Sequence, residues 1–135
     1  MSYSFLPHTA DVRMHVSGKS LEEIFRDGLL GMVSVMKPTV PEKKEEVRRE
    51  VTVEAEDPTA LLVDFLNEVL VWMHTKREAY TAVCFKKLTE RSLEAEITGY
   101  RAEAFNEDIK AVTYHEADVK KVGEGKWSTN IIFDI

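Results

Sequence analysis

The stretch Asp57–Thr75, DPTALLVDFLNEVLVWMHT, decides how the chain is laid out. Asp57 is a natural N-cap, and Pro58 suits the first helical position, where its missing N–H is not needed. Leu61, Leu62, Phe65, Leu66, Val69, Trp72 and Met73 recur at helical spacing and make one wide apolar face. Asp64, Asn67, Glu68 and Val71 fall mostly on the other side. The spacing predicts an amphipathic helix over Pro58–Thr75 that covers a sheet with its apolar face and turns its polar face to water.

Upstream, a second amphipathic helix is expected over Ser20–Met36. Ser20 and Glu23 have capping-box spacing, and Leu21, Ile24, Phe25, Leu29, Met32, Val33 and Met36 form its stripe. Pro38 and Pro41 bar its continuation. Gly28 and Gly31 weaken a helix by about 1 kcal/mol each against alanine, so they point to close backbone packing. The remaining segments read as strands. Val12–Ser17 alternates, as does Val47–Glu56, with Val47, Val51, Val53 and Ala55 on one face. Tyr80–Leu88 and Ser92–Tyr100 read as a hairpin. Ala111–Val122 and Trp127–Ile135 read as another, turning at Gly123-Glu124-Gly125-Lys126. Two helices amid such strands predict one α+β domain over residues 1–135, a two-layer sandwich with a mixed sheet covered by both helices.

Composition narrows the function. The 135 residues are 44% hydrophobic and 31% charged, as in a globular protein. Acids outnumber bases 24 to 18, for a net charge of −6, which argues against direct nucleic-acid binding as the main task. The single cysteine, Cys84, cannot form an internal disulfide and fits a reducing compartment. Flanked by Val83 and Phe85, it reads as a small core residue. Met1–His8 lacks the pattern of a signal peptide, and no apolar run approaches the ~20 residues that span a bilayer. A cytoplasmic protein with no membrane partner is the expectation.

Three segments could carry chemistry. In His8-Thr9-Ala10-Asp11, a His and an Asp three apart in a loop can face one pocket, although the same residues also suit a backbone-bonded turn. At Phe133-Asp134-Ile135, apolar alternation runs to the last residue, which would hold the α-carboxylate beside the Asp134 side chain. Two anionic groups so close repel unless a cation or an Arg lies between them. Hard oxygen donors suit Ca²⁺, Mg²⁺ or Mn²⁺, and the bland alternative is a solvated acidic end. The third segment is Lys110-Ala111-Val112-Thr113-Tyr114-His115, entering a strand. Lys110 there could meet a phosphate or only water. His115, on one face with Thr113, Ala117 and Val119, more often plays a bonded than a catalytic part. Phosphate-binding Gly-rich loops and zinc-type Cys or His pairs do not occur in the sequence.

Taken in order, these pieces resemble the archease family: His8-Thr9-Ala10-Asp11 with Gly18-Lys19-Ser20-Leu21-Glu22-Glu23, then Leu62–Leu70, then Lys110–His115, and finally Ile132-Phe133-Asp134-Ile135. The resemblance spans essentially the whole chain. It implies a non-enzymatic accessory protein of an RtcB-type RNA ligase, one that promotes guanylylation and multiple turnover of the ligase in tRNA splicing and RNA repair. Association with tRNA and GTP would then be indirect. It also implies a metal site formed by Asp11, Asp134 and the carboxylate of Ile135, with calcium the ion associated with the family and Mn²⁺ or Mg²⁺ as alternatives. His8, Lys110 and His115 are candidates for orienting a ligand or touching the partner. The competing readings are a general chaperone or modulator of nucleic-acid-processing enzymes, and a small metal-dependent hydrolase, for which no general base with a convincing partner is evident.

Overall fold

A computed structural model describes residues 11–135. Eleven elements follow in the order β1 (Asp11–Gly18), α1 (Leu21–Met36), β2 (Pro38–Thr39), β3 (Glu46–Glu54), α2 (Pro58–Lys76), β4 (Glu78–Leu88), β5 (Ser92–Arg101), β6 (Ala104–Phe105), β7 (Ala111–Thr113), β8 (Lys120–Lys121) and β9 (Trp127–Asp134). Ser20 caps α1 by accepting the Glu23 N–H at 3.2 Å, and the Glu23 carboxylate reaches back to the amide of Lys19, one residue before the cap. Asp57 caps α2 by accepting from the Ala60 N–H at 2.8 Å. Both helices end on a left-handed residue, Lys37 and Arg77. No described helix is long and apolar enough to cross a membrane.

The class is the expected α+β, and its two helices pack on the sheet layer. The sheet itself departs from the expected mixed one. The strands form a four-stranded sheet, β1-β9-β7 with β8 also on β9, a three-stranded sheet, β3-β5-β4, and a two-stranded ribbon, β2-β6. Every pairing among the described residues is antiparallel. Strands β3 and β4 flank β5 and so run parallel to each other, and α2, which joins them, is the crossover over the three-stranded sheet, although no two adjacent strands among the described residues are parallel. Helix α1 bridges the two larger sheets, lying against β1, β9 and β4. Helix α2 lies against β3, β4, β5 and β7. Gly31 allows the close approach of α1 to β1, since a Cβ there would fall 2.3 Å from the Met14 sulfur.

Two local expectations fail for one reason each. Cys84 is exposed rather than in the core. A bulge between Tyr80 and Ala82 adds a residue to β4, so Tyr80 and Val83 both turn inward and Cys84 turns out. The long strand expected over Ala111–Val122 breaks into β7 and β8, because the chain leaves the sheet at Tyr114 and turns through Glu116 at φ 60°. The hairpin turn is as expected, with Gly123 and Gly125 at φ 81° and 62° and the Val122 N–H donating to Lys126 O.

Just before the bulge a charge is buried. Glu78 is 3% exposed and accepts both Nε and Nη2 of Arg49, at 3.0 and 2.7 Å, plus the Tyr80 hydroxyl at 2.7 Å. The Arg49 guanidinium holds the carboxyl below the usual carboxylate range against the opposing effect of burial. Opposite the bulge, Gly99 is paired with Tyr80, and a Cβ at Gly99 would lie 2.1 Å from the Ala79 carbonyl oxygen. Gly99→Ala is therefore expected to destabilise the fold by about 2–3 kcal/mol, the upper range for overpacking, as measured by urea unfolding. A change below about 0.5 kcal/mol would mean that the bulge adapts without strain.

Candidate functional site

The four-stranded sheet has one face on the core and one face outward. Pairing of β1 with β9 sets Val12 against Phe133 and Met14 against Ile131 on the inner face. On the outer face it sets Asp11 against Asp134, Arg13 against Ile132 and His15 against Asn130. Phe133 and Ile131 are fully buried, which pins the register, since a one-residue slip would exchange the two faces. Direct cross-strand neighbours on one face have Cβ atoms about 4.5–5.5 Å apart, a span that one ion can bridge between two carboxylates.

Asp11 and Asp134 are thus brought together from opposite ends of the sequence. Among the described residues neither takes part in an ion pair, whereas the neighbouring Arg13 is taken by Glu116 at 2.5 Å. Ile135 packs its side chain on the core, so the main chain beside Asp134 is held. No three His, Cys, Asp or Glu side chains gather for a metal among the described residues. A third oxygen donor must therefore come from the main chain or from outside them. The donor chemistry, two carboxylates facing each other at a sheet end with no ion-pair partner among the described residues, fits a hard divalent cation.

The other candidates are placed less uniformly. Lys110 lies beside the pair, with its N–H donating to Asp134 O at 2.7 Å and its side chain exposed. His115 lies past the end of β7 in the exposed turn, not on a strand face with Thr113, because the strand stops at Thr113. Its amide donates to Thr113 Oγ1. His8 lies outside the described residues.

The helical spacing predicts that the polar side of α2 faces water. Instead it laces down the segment that carries Lys110 and His115. His74 Nε2 meets Ile109 O at 2.7 Å. Asn67 donates from Nδ2 to Val112 O and accepts the Val112 N–H at Oδ1, both at 2.9 Å. Asp64 accepts the Tyr114 hydroxyl, and Thr59 Oγ1 accepts the Val119 N–H at 2.9 Å. The recurring polar positions 59, 67 and 74 were the available signal, but a polar helix face looks the same whether it meets water or backbone. Helix α2 is also buried more widely than its stripe foretold, with Val63 and Leu70 in the core as well, while Val71 and Tyr114 remain more than half exposed.

The hydrogen bond to Asp64, helped by partial burial, pushes the Tyr114 phenol up to about 12 from its usual value near 10. Asp64→Ala is expected to return that ionisation toward pH 10. An ultraviolet titration, with Tyr114→Phe to assign the step, checks it, and an unchanged step would refute the Asp64 contact.

The chain matches the family model described as the Archease protein family over residues 3–135. It is 34% identical to the protein archease of Thermococcus gammatolerans, covering 95% of this chain and 94% of that one. It is 29% identical to the protein archease of Methanosarcina barkeri, covering 98% and 95%. Among solved structures, a Thermotoga maritima protein described as an archease, possible chaperone, superposes with a TM-score of 0.72 at 22% identity over 100% of this chain and 98% of that one. Protein 1598 of Methanobacterium thermoautotrophicum gives 0.66 at 28% identity over 93% of each chain.

Proposed function

The chain belongs to the archease family, and from that premise we propose that it is an accessory protein of an RtcB-type RNA ligase, acting through a divalent-cation site at the end of the β1–β9 pair. The observation that carries the reading is the register that sets Asp11 opposite Asp134. Asp11 and Asp134 supply two side-chain carboxylates, and the carboxylate of Ile135 supplies the third. Calcium is the first candidate, with Mn²⁺ or Mg²⁺ as alternatives, all being ions that take oxygen ligands. A divalent cation held there supplies positive charge that can offset the charge of a phosphate group in transfer.

The chain's own part is to hold those oxygens in place and to present them to a partner. Three donor groups leave coordination positions open for water or for a group from outside. Lys110 stands next to the pair and is suited to touch a phosphate or an acidic group of the partner. His115, in its exposed turn, is suited to contact rather than to coordination. The net charge of −6 complements the basic surface that an RNA-binding enzyme needs. In this reading the protein promotes guanylylation of the ligase and its repeated turnover, meets tRNA and GTP only through that enzyme, and performs no ligation itself.

In a single-turnover guanylylation assay with a matching ligase, the wild-type chain is expected to stimulate the reaction. Asp11→Ala and Asp134→Ala are expected to abolish the stimulation without lowering the unfolding midpoint, because both side chains are outside the core. Stimulation by both variants at the wild-type level would overturn the cation reading. A general chaperone would instead suppress aggregation of client proteins equally well with or without the two acids.

Adding residues after Ile135 replaces its carboxylate by an amide. Titration calorimetry with Ca²⁺ or Mn²⁺ is expected to show weakened binding to such an extended chain. Unchanged affinity would remove Ile135 from the site.

A further inference from the structure

We propose that Asn67 is a positioning residue of the carboxylate site, acting from helix α2 through β7 on the end of β9. The inference rests on the cation reading and names the residue that keeps its geometry. Strand β7 is only three residues long, Ala111–Thr113, and so short a strand has few ladder bonds of its own to hold it. Ala111 is the partner of Asp134 in that ladder, and the Lys110 N–H donates to Asp134 O. Whatever fixes β7 therefore fixes the far side of Asp134, the side away from Asp11.

Asn67 is built for that task. Its amide meets both polar groups of Val112, donating to the carbonyl and accepting the N–H at 2.9 Å each. A primary amide presents a donor and an acceptor side by side, so it stands in for a neighbouring strand. Val112 is itself buried, where a lost partner leaves an unsatisfied backbone group. The side chain hangs from a helix whose next turns, at Leu66, Val69 and Leu70, are in the core, so its Cα is rigidly placed. Thr59 belongs to the same polar side of α2, yet it holds Val119, beyond the turn and away from the Asp134 end. The two residues thus separate a general role in docking the segment from a specific role at the carboxylates.

The test measures Mn²⁺ or Ca²⁺ binding by calorimetry, together with amide hydrogen exchange at Lys110 and Val112, for the wild type, Asn67→Ala, Asn67→Gln and Thr59→Val. Asn67→Ala is expected to weaken cation binding about tenfold, the lower end for an outer group that orients a ligand, and to speed exchange at both amides. Asn67→Gln keeps both amide functions on a longer arm, is the safer variant for folding, and is expected to fall between Ala and wild type. Thr59→Val is expected to lower thermal stability with cation affinity unchanged. If folded Asn67 variants bind the cation as tightly as the wild type, or if Thr59→Val weakens binding as much as Asn67→Ala, the positioning role is overturned while the cation reading stands. If the wild type itself binds no cation, the cation reading falls, and the positioning role falls with it.

Discussion

The antiparallel ladder between β1 and β9 holds the rest of the structure in order. Eight residue pairs run from Asp11 with Asp134 to Gly18 with Trp127, so the first described strand and the last share one sheet. The inner side of that ladder, Val12, Met14, Ile131 and Phe133, is where α1 rests, and Gly31 lets the helix come close. Ile131 and Phe133, fully buried on the inner face, fix the register, since a slip by one residue would turn them to the other face. The outer side then follows without further choice, and the two acids end opposite each other.

That arrangement explains why the two acids are tolerated. Facing carboxylates on neighbouring strands oppose each other and lower stability unless something lies between them. The fold keeps the pair because the apolar side of the same strands fixes the register at larger gain than the repulsion costs, since fully burying Phe133 or Ile131 contributes about 1.5–3 kcal/mol each. A ligand that bound the acids would relieve the strain, and stability would then be coupled to occupancy. The meeting of the two acids is thus a consequence of core packing on the other face of the sheet, and not of local sequence around either acid.

A second polar organisation lies across the molecule's middle. Helix α2 offers core residues on one flank and hydrogen-bonding groups on the other, and the latter replace a strand or solvent for the segment Ile109–Val119. Backbone groups of an irregular segment need partners wherever they are shielded from water. Side chains on a rigid helix supply those partners at fixed positions, so the segment is ordered although it contains only three residues of strand. Its ordered end touches Asp134 and its exposed turn carries Tyr114 and His115, which places firm and accessible parts side by side.

Local signals were legible in the residues themselves. The caps Ser20 and Asp57, the helical stripes, the Gly123–Lys126 turn and the inward alternation of Ile131 and Phe133 all depend on neighbours within a few positions, and those were read correctly. Asp11 and Asp134 are joined in advance only by the family resemblance, because the residues near each say nothing of the other. The cross-strand register that sets them opposite, the bulge that turns Cys84 outward and the docking of Asn67 onto Val112 are decided only in three dimensions. Each depends on which distant segment arrives alongside, and a sequence period of two or of 3.6 carries no information about that arrival.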